Sequence, residues 1–438
     1  MDQVETTTIR KVIWRLMPFL GICYFVSWLD RVNVGFAALG MNADLGFSPA
    51  VFGLGAGIFF IGYVLCEAPS NLALRRFGAR IWIARIMISW GILAGAMAFI
   101  QGPWSFYIVR FLLGIAEAGF FPGIIFYLTI WFPAKYRARA FGFLILVTPI
   151  SGVIGAPLSG ALFHLHDIWG IAGWRWMFFI EAIPAVVLGI VTLFYLTDKP
   201  EDAKWLKPEE REWLARTVAA EEAERTRAHS ATVMSALKNP RVWGLGLVYL
   251  GPVIGLYGLG FWLPQIVQGL VRVYGISDPF FIGLIAAIPP IGAVICMGFW
   301  TRHSDRTRER VWHTVIPVLT GAVGLVLSAY ISSPILSMVA LTIALIGINV
   351  SLPVFWTMPT AILAGAGTAV GVAVINCIGN IGGYIGPQLI GLVKQATDSI
   401  SAALLTIAAL MVLAAIVALV MGRGLRQREE ALRMNPAE

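Results

Sequence analysis

The stretch ISAALLTIAALMVLAAIVALVMG, Ile400–Gly422, runs for 23 residues without a charged side chain. A helix of about 20 residues crosses a hydrocarbon layer roughly 30 Å thick. The whole chain of 438 residues is 58% hydrophobic and only 13% charged. This composition excludes an ordinary soluble enzyme with a single core. The sequence therefore predicts a membrane protein.

Twelve runs of this kind follow one another along the chain. They lack the roughly ten-residue alternation of β-barrel strands, and a span in lipid must satisfy its own backbone hydrogen bonds. The predicted fold class is therefore an all-α polytopic membrane protein with twelve transmembrane helices. The predicted spans are 16–39, 51–74, 81–101, 104–131, 138–163, 172–196, 242–268, 279–300, 312–331, 335–363, 369–393 and 400–422.

The basic residues are distributed unevenly between the two sides of the membrane. Those that fix the orientation are Arg10, Lys11, Arg15, Arg75, Arg76, Arg80, Lys135, Arg137 and Arg139. All of them fall on one predicted side, whereas the opposite loops contain almost none. Because basic loops stay in the cytoplasm, both termini are expected there. The net charge of +8 is thus a topology signal, and no nucleic-acid partner is expected.

One long polar segment, residues 197–239, interrupts the apolar pattern and carries nearly balanced charge. We expect it to be a cytoplasmic linker between an N-terminal half, 1–196, and a C-terminal half, 240–423, with a cytoplasmic tail at 424–438. Each half contains six predicted spans. Pro208, followed by acidic residues, predicts a helix start within the linker. A regulatory or partner-binding role for the linker is the alternative to a plain tether.

Three pairs of sites recur at the same offset between the halves. They are Gly152 and Gly382, Pro157 and Pro387, and Arg75–Arg76 and Asp305–Arg306. Agreement at separated places predicts two pseudo-symmetric six-helix halves. Duplicated halves around a central site are a known transporter architecture.

Charged residues inside the predicted spans are the strongest functional signal. Asp30 and Arg31 lie in span one, and Arg110 and Glu117 lie in span four. A charge at a span centre costs about 2.5–3.5 kcal/mol on insertion scales, so it must face a partner or a water-filled interior. Asp30 and Arg31 are about 100° apart on a helix and should meet different partners, which span four is expected to supply. Arg110, Gly114 and Glu117 share one helix face, so a static Arg110–Glu117 bridge that braces the bundle is the alternative to a functional role.

The second half carries neutral polar and aromatic candidates instead of charges. They are Tyr257, Gln265, Ser351, Trp356, Asn376 and Asn380. The two asparagines are one turn apart, so they could present amides to a hydroxyl group or a second carboxylate. Neutral polar groups also hold helices together in membranes, and aromatic residues also pack cores, so both interpretations stay open.

Four motifs together resemble the major facilitator superfamily, and within it the anion:cation symporter family of organic-acid permeases. They are LDRVN (29–33), APSNLALRRFGAR (68–80), RFLLGIAEAGFFPG (110–123) and SDRTRER (304–310). The similarity extends over essentially the whole chain and is nearest to bacterial tartrate- and phthalate-type transporters. One departure is Arg75, which stands where the superfamily's loop signature usually has Asp.

The resemblance implies roles for particular residues. Asp30 and Glu117 would couple transport to protons, Arg31 would contact a substrate carboxylate, and Arg110 would tune Glu117. Tyr63 resembles a substrate-site tyrosine of the family. The remaining candidates are Gln265, Trp356, Asn376 and Asn380 for the substrate, and Arg75, Arg76, Asp305 and Arg306 for cytoplasmic gating.

The expected function is secondary active, proton-coupled uptake of an organic carboxylate, such as a dicarboxylate like tartrate or an aromatic acid like phthalate, by alternating access. The alternatives are a proton-driven antiporter that exports drugs or amphiphilic acids, and a membrane receptor that senses an organic acid. An enzyme is not expected, since no phosphate-binding loop, hydrolase triad or metal cluster is evident. The only coupling ion expected is H⁺, without a cofactor or metal. The expected setting is a monomer in the bacterial inner membrane, in contact with lipid.

Overall fold

The computed structural model describes residues 3–227, 233–359, 363 and 368–434, and within these ranges the regular structure is helical. The helices are α1 (Gln3–Asp44), α2 (Pro49–Phe77), α3 (Ala79–Ala96), α4 (Pro103–Glu117), α5 (Phe120–Trp131), α6 (Ala134–Leu162), α7 (Gly173–Tyr195), α8 (Pro208–Arg227), α9 (Val233–Leu237), α10 (Pro240–Val271), α11 (Pro279–Ala286), α12 (Ile288–Thr307), α13 (Val311–Tyr330), α14 (Pro334–Phe355), α15 (Thr368–Thr397) and α16 (Ile400–Met434).

Twelve helical segments in the described ranges are long and apolar enough to cross a membrane, which confirms the predicted number of spans. The ends of the helices differ from the prediction. α1 has 42 residues, whereas the predicted span covers only 16–39. At about 1.5 Å per residue α1 is roughly twice as long as a hydrocarbon layer is thick, so its polar ends continue the helix beyond the membrane.

The fourth span is predicted as one helix but consists of two, α4 and α5. α4 ends at Glu117, and Gly119 adopts a left-handed conformation with φ of 85°. Glycine tolerates this conformation because it has no Cβ. Pro122, in the first turn of α5, has no N–H with which to continue the α4 hydrogen-bond pattern. These two residues explain a break that apolarity alone does not reveal.

The chain forms two compact units. The first contains α1, α2 from Ile58 onward, and α3–α8. Within it, α3 packs along α7, and α1 packs against α6 and α7. Glycines permit the closest approaches. A Cβ atom at Gly62 would lie only 2.4 Å from the Phe111 carbonyl oxygen, so the backbones of α2 and α4 touch at this crossing.

The second unit contains the first turns of α2, Ser48–Gly57, together with α9–α16. Its main helix pairs are α10 with α15, and α13 with α14 and α16. Small residues again allow close contact, since a Cβ atom at Gly386 would lie 2.4 Å from the Ile254 carbonyl oxygen. This close packing of small residues is the usual way in which membrane helices associate.

α8 begins at Pro208, as predicted, and ion pairs connect it to α1 and α6 of the same unit. Lys11 on α1 lies 2.8 Å from the Glu210 carboxylate. Arg137 on α6 lies 2.7 Å from Glu221, which also accepts a hydrogen bond from the first N–H of α6, that of Ala134. The linker helix is therefore docked against α1 and α6.

The Lys11–Glu210 pair predicts a pH-dependent contribution to stability. Burial raises the pKa of Glu210, but hydrogen bonds from Lys11 and the Lys207 N–H lower it more, so the net pKa lies below the usual 4.5. The contribution is therefore complete above the pKa of the unfolded chain and is lost as the pH falls through the lower folded-state value. We expect Glu210→Gln to cost about 1 kcal/mol at pH 7, since Lys11 is largely solvated.

Thermal melting of the purified protein at neutral and acidic pH measures this effect. The difference between wild type and Glu210→Gln should vanish at a pH well below 4.5, where wild-type Glu210 also loses its charge. Glu209→Gln removes an exposed neighbouring charge and serves as the control. A pH-independent difference between wild type and Glu210→Gln would contradict the assignment.

Candidate functional site

The four charged residues predicted inside spans one and four are all buried in the first unit. Their exposed fractions are 2% for Asp30, 7% for Arg31, 1% for Arg110 and 1% for Glu117. Burial this complete means that each charge depends on protein groups for its solvation.

Arg31 and Glu117 form an ion pair between α1 and α4. The Ser27 hydroxyl donates a second hydrogen bond to the same carboxylate oxygen, over 2.8 Å. Ser27 and Arg31 are one helical turn apart, so one face of α1 presents both groups to Glu117. Span four was expected to supply the partners of Asp30 and Arg31, and its Glu117 is the ionic partner of Arg31. Ser27 was not identified from the sequence.

Aromatic rings surround the two buried arginines. The Arg31 guanidinium carbon lies 5.3 Å from the ring centres of Phe59 and Tyr63, and that of Arg110 lies 5.1 Å from the Phe59 ring centre. Phe59 thus contacts both cations through its π face. The structure brings Tyr63 and Arg31 together, and both were predicted to contact substrate. Trp28 adds a further ring 5.4 Å from Arg31.

Asp30 faces a different partner from Arg31, as expected for adjacent helical residues. Trp90 on α3 donates its indole N–H to Asp30 Oδ2 over 2.9 Å. The other oxygen, Oδ1, is buried and accepts no hydrogen bond from the described residues. The Asp30 carboxylate also forms no ion pair with a described residue. Asp30 is therefore the buried acid that the surrounding protein compensates least.

Glu181 on α7 is a further buried acid, only 2% exposed, that sequence reasoning missed. Asn33 Nδ2 donates to one of its oxygens over 2.9 Å, and the Ser159 hydroxyl donates to the other over 2.6 Å. Asn33 is three residues after Asp30 on α1, so the two side chains lie on the same side of that helix. The signal was available, because Glu181 is a lone charge within the apolar run 176–192.

Replacing Glu181 should reveal how much its two hydrogen bonds stabilise the first unit. Glu181→Ala leaves the buried donors of Asn33 and Ser159 without an acceptor, at a cost of about 1–3 kcal/mol for each. Glu181→Gln keeps an acceptor oxygen and nearly the same volume, so it serves as the matched control. We expect Glu181→Ala to lower the melting temperature clearly more than Glu181→Gln does. Equal melting temperatures would show that these hydrogen bonds contribute nothing.

The position of Glu117 follows from the close packing of α4 on α2. A Cβ atom at Gly114 would lie 1.9 Å from the Phe59 carbonyl oxygen, so only glycine fits there. Gly114, which shares a helix face with Arg110 and Glu117, therefore lies directly against the α2 backbone. The close approach of α4 to α2 places Phe59 beside Arg110 and Arg31. Glu117 lies about one turn after Gly114, at the end of α4.

The candidates in the second unit do not form a single cluster. Trp356 packs edge-on against Tyr249 with ring centres 4.8 Å apart. Tyr249 lies directly on α15, because a Cβ atom at Gly379 would be 2.0 Å from its ring. Half-buried Asn380 is the next residue of α15, and Asn376 is one turn away. Gln265 shares α10 with Tyr249 but lies roughly 24 Å further along the helix.

Tyr249 was missed by sequence reasoning, which gave no reason to prefer it to other aromatic residues of the same span. Its second face stacks on Phe355 with ring centres 4.9 Å apart. A tyrosine held between a helix backbone and two aromatic rings presents its hydroxyl in a fixed direction. Trp356, Tyr249 and the neighbouring asparagines are therefore the part of the second unit best suited to contact a polar ligand.

The predicted gating residues lie at helix ends. Arg75 and Arg76 are exposed at the end of α2, where Arg75 is 5.5 Å from the Phe126 ring centre and Arg76 is 5.6 Å from that of Phe77. At the end of α12, Asp305 pairs with Arg310 over 2.9 Å, and Arg306 is exposed. Their gating role stays a prediction. Within the described ranges, no three His, Cys, Asp or Glu side chains converge to hold a metal ion.

A sequence profile of the Major Facilitator Superfamily matches residues 20–387 of the chain. The chain belongs to this superfamily. The fold agrees, since the bacterial homologue of the human lysosomal transporter Spinster, in its inward-facing and occupied conformation, superimposes with a TM-score of 0.73. The sequence of that protein is 18% identical, and the match covers 93% of this chain and 96% of that chain.

Two relatives are similar over nearly the whole chain. A protein of Agrobacterium vitis named "Putative tartrate transporter" is 53% identical, and the match covers 96% of this chain and 93% of the relative. A protein of Acinetobacter baumannii named "Quinolone resistance transporter" is 42% identical, with 91% of each chain covered. As a superfamily member with twelve spans, the chain is a multi-pass membrane transporter and not an enzyme.

Proposed function

We propose that this transporter takes up an organic carboxylate anion together with protons. The observation that carries the proposal is the buried Arg31–Glu117 ion pair, which Ser27 and the aromatic rings of Phe59 and Tyr63 surround. A guanidinium binds a carboxylate through two parallel hydrogen bonds, so a substrate carboxylate and the Glu117 carboxylate compete for the same cation.

Competition for Arg31 links proton binding to anion binding. Protonation of Glu117 removes its negative charge and frees Arg31 for the substrate, because an arginine buried without an anion is costly. By linkage, the bound anion in turn favours protonation of Glu117. Asp30, whose carboxylate has no ion-pair partner in the described residues, is a second group that can carry a proton. Loss of the protons on the cytoplasmic side then returns Glu117 to Arg31 and releases the anion.

The name of the Agrobacterium vitis relative supports a dicarboxylate of the tartrate type as substrate. The second candidate function is proton-driven export of amphiphilic drugs. Similarity to the quinolone resistance transporter favours it. The direction of proton-coupled movement discriminates between the two, since a quinolone also carries a carboxylate that could compete with Glu117 for Arg31.

Uptake into proteoliposomes tests the proposal. The substrates are tartrate, phthalate, 4-hydroxyphenylacetate and galactonate, each with and without an inward proton gradient. We expect one acid to accumulate and a protonophore to abolish its accumulation. Gradient-independent equilibration would indicate facilitated diffusion or anion exchange. Proton-driven movement of a fluoroquinolone, with no uptake of any acid, would favour the antiporter.

Arg31→Gln should then lower uptake of the identified acid at least about 30-fold, because truncating one partner of a buried charge pair costs about 2–5 kcal/mol. Arg31→Lys keeps the charge but not the planar donors, so it should retain a small part of the activity with a raised KM. The matched control is Arg85→Gln, which removes a half-buried arginine on α3 of the same unit. Unchanged uptake by Arg31→Gln would exclude Arg31 as the carboxylate ligand.

A further inference from the structure

The second unit contains a cavity of about 750 Å³ between α12, α13 and α14. We call it the α12–α14 groove. One end is basic and is lined by Arg302, His303 and Arg306. The remainder is mostly apolar, with Phe299 and Ile316 among its walls. This combination of a basic end and an apolar body is distinct from the buried charges of the first unit.

The basic end of the groove carries positive charge that nearby acids do not neutralise. Arg302 and Arg306 are one helical turn apart and exposed, and neither forms an ion pair with a described residue. The adjacent Asp305 is paired with Arg310. Two guanidinium groups on one helix face can therefore bind an external anion.

Glu309, the other nearby acid, is also engaged. Its two oxygens accept hydrogen bonds from the N–H groups of Trp312 and His313, over 3.0 and 3.1 Å, and so cap the start of α13. Burial raises the pKa of Glu309, but these hydrogen bonds lower it more, so the net pKa lies below its usual value. The Glu309 carboxylate is therefore ionised and bound to the start of α13. Arg302 and Arg306 on α12 can then bind an external anion.

The apolar walls belong to membrane-spanning helices and are exposed. Phe299 is 70% exposed on α12, and Ile316 is 45% exposed on α13. Side chains of this kind on a transmembrane helix face acyl chains, since water is excluded at that depth. A soluble anion would match the basic end but would leave these walls without an apolar partner.

We propose that the α12–α14 groove binds one anionic phospholipid, with its phosphate at Arg302 and Arg306 and an acyl chain along Phe299 and Ile316. Basic pockets between transmembrane helices recognise phosphate headgroups in this way. Phosphatidylglycerol is preferred to a zwitterionic lipid, because the cationic headgroup of the latter is repelled by Arg302 and Arg306, while the nearby acids Asp305 and Glu309 already have partners.

Native mass spectrometry of the full chain in detergent, with added phosphatidylglycerol, phosphatidylcholine or inorganic phosphate, tests the proposal. We expect the wild type to form a one-to-one complex with phosphatidylglycerol and to bind phosphatidylcholine at least tenfold more weakly. The Arg302→Gln/Arg306→Gln variant should bind phosphatidylglycerol at least tenfold more weakly than the wild type does. The matched control is Arg241→Gln/Arg272→Gln, which removes two exposed arginines of the second unit outside the groove and should bind like wild type.

A second variant tests the apolar part and keeps every charge. Ile316→Trp fills the groove beside α13 and should also weaken the binding of phosphatidylglycerol at least tenfold. The melting temperature of each variant reports whether it is folded. Equal binding of the two lipids, or wild-type binding by the folded double-glutamine variant, would overturn the proposal. Stabilisation by inorganic phosphate to the same extent as by phosphatidylglycerol would also overturn it, in favour of a soluble-anion site.

Discussion

Glu117→Gln is expected to abolish proton-driven accumulation, so that the internal concentration of the substrate acid rises only to the external one. Glutamine has the shape of protonated glutamate but cannot exchange a proton. A substrate carboxylate would then no longer compete with the Glu117 carboxylate, the ionic partner of Arg31 in the structure. Binding and exchange of labelled for unlabelled acid should persist, since neither requires net proton movement. The expected phenotype is thus uncoupling, without loss of binding.

The accumulation that Glu117→Gln is expected to lose is large enough to measure. One pH unit supplies about 1.4 kcal/mol per coupled proton, or about tenfold accumulation. Wild-type proteoliposomes should reach that ratio with one coupled proton and exceed it with more. Ser27→Ala, which removes only a hydrogen bond to the carboxylate, should reduce the rate and leave the final ratio intact. Glu67→Gln replaces another buried acid of the first unit and serves as the control.

Full accumulation by Glu117→Gln would contradict the coupling scheme. It would leave the Arg31–Glu117 pair as a brace between α1 and α4, the alternative that sequence reasoning kept open for the charges of span four. Loss of both accumulation and exchange would instead mean that Glu117 is needed to hold Arg31 in place. Thermal melting with and without substrate separates that outcome from unfolding.

Gly114→Val should have the largest effect on the fold. A Cβ atom at Gly114 would lie 1.9 Å from the carbonyl oxygen of Phe59 and 3.0 Å from the amide nitrogen of Tyr63. Both atoms belong to the backbone of α2, so no side-chain rotation can relieve the overlap. Overpacking typically costs about 1–3 kcal/mol when side chains can adjust, and a fixed backbone should raise this cost. We expect little folded protein.

A glycine in open space provides the comparison for Gly114. Gly142 on α6 belongs to the same unit, and a Cβ atom there would meet nothing within 4 Å. Gly142→Ala should leave the melting temperature unchanged or slightly raised, because alanine favours helix more than glycine does. Fluorescence-detected gel filtration and thermal melting compare the two variants. A Gly114→Val protein that is monodisperse and melts like wild type would contradict the packing of α4 on α2.

The twelve spans could be predicted from sequence because each depends only on local composition. The divergence of Asp30 and Arg31 could also be predicted, since the angle between adjacent residues is a property of any α-helix. The break between α4 and α5 was harder. It depends on Gly119 and Pro122 within a run whose apolarity is continuous.

Partners across helices could be predicted only in outline. Span four was expected to supply the partners of Asp30 and Arg31, but one sequence does not say which individual side chains meet. The spacing of Arg110 and Glu117 indicated a shared face, but Ser27 and Arg31 come from α1 and reach Glu117 only through tertiary packing. Glu181 was missed for a different reason. It stands alone in the apolar run 176–192, and its partners Asn33 and Ser159 lie on other helices, so no charge spacing within one helix pointed to it.

The break at Ala118–Gly119 places the acid at a joint. A continuous helix moves as a rod, and a displacement at one end is carried along its length. Here α4, held to α2 through Gly114, and α5, whose Trp131 stacks on Trp205 of the linker with ring centres 5.3 Å apart, are separate arms. Each arm can follow its own neighbours through small dihedral changes at the joint. Because Glu117 is the last residue of α4, a change of charge on it acts beside this joint, where the angle between α4 and α5 can change without bending either helix.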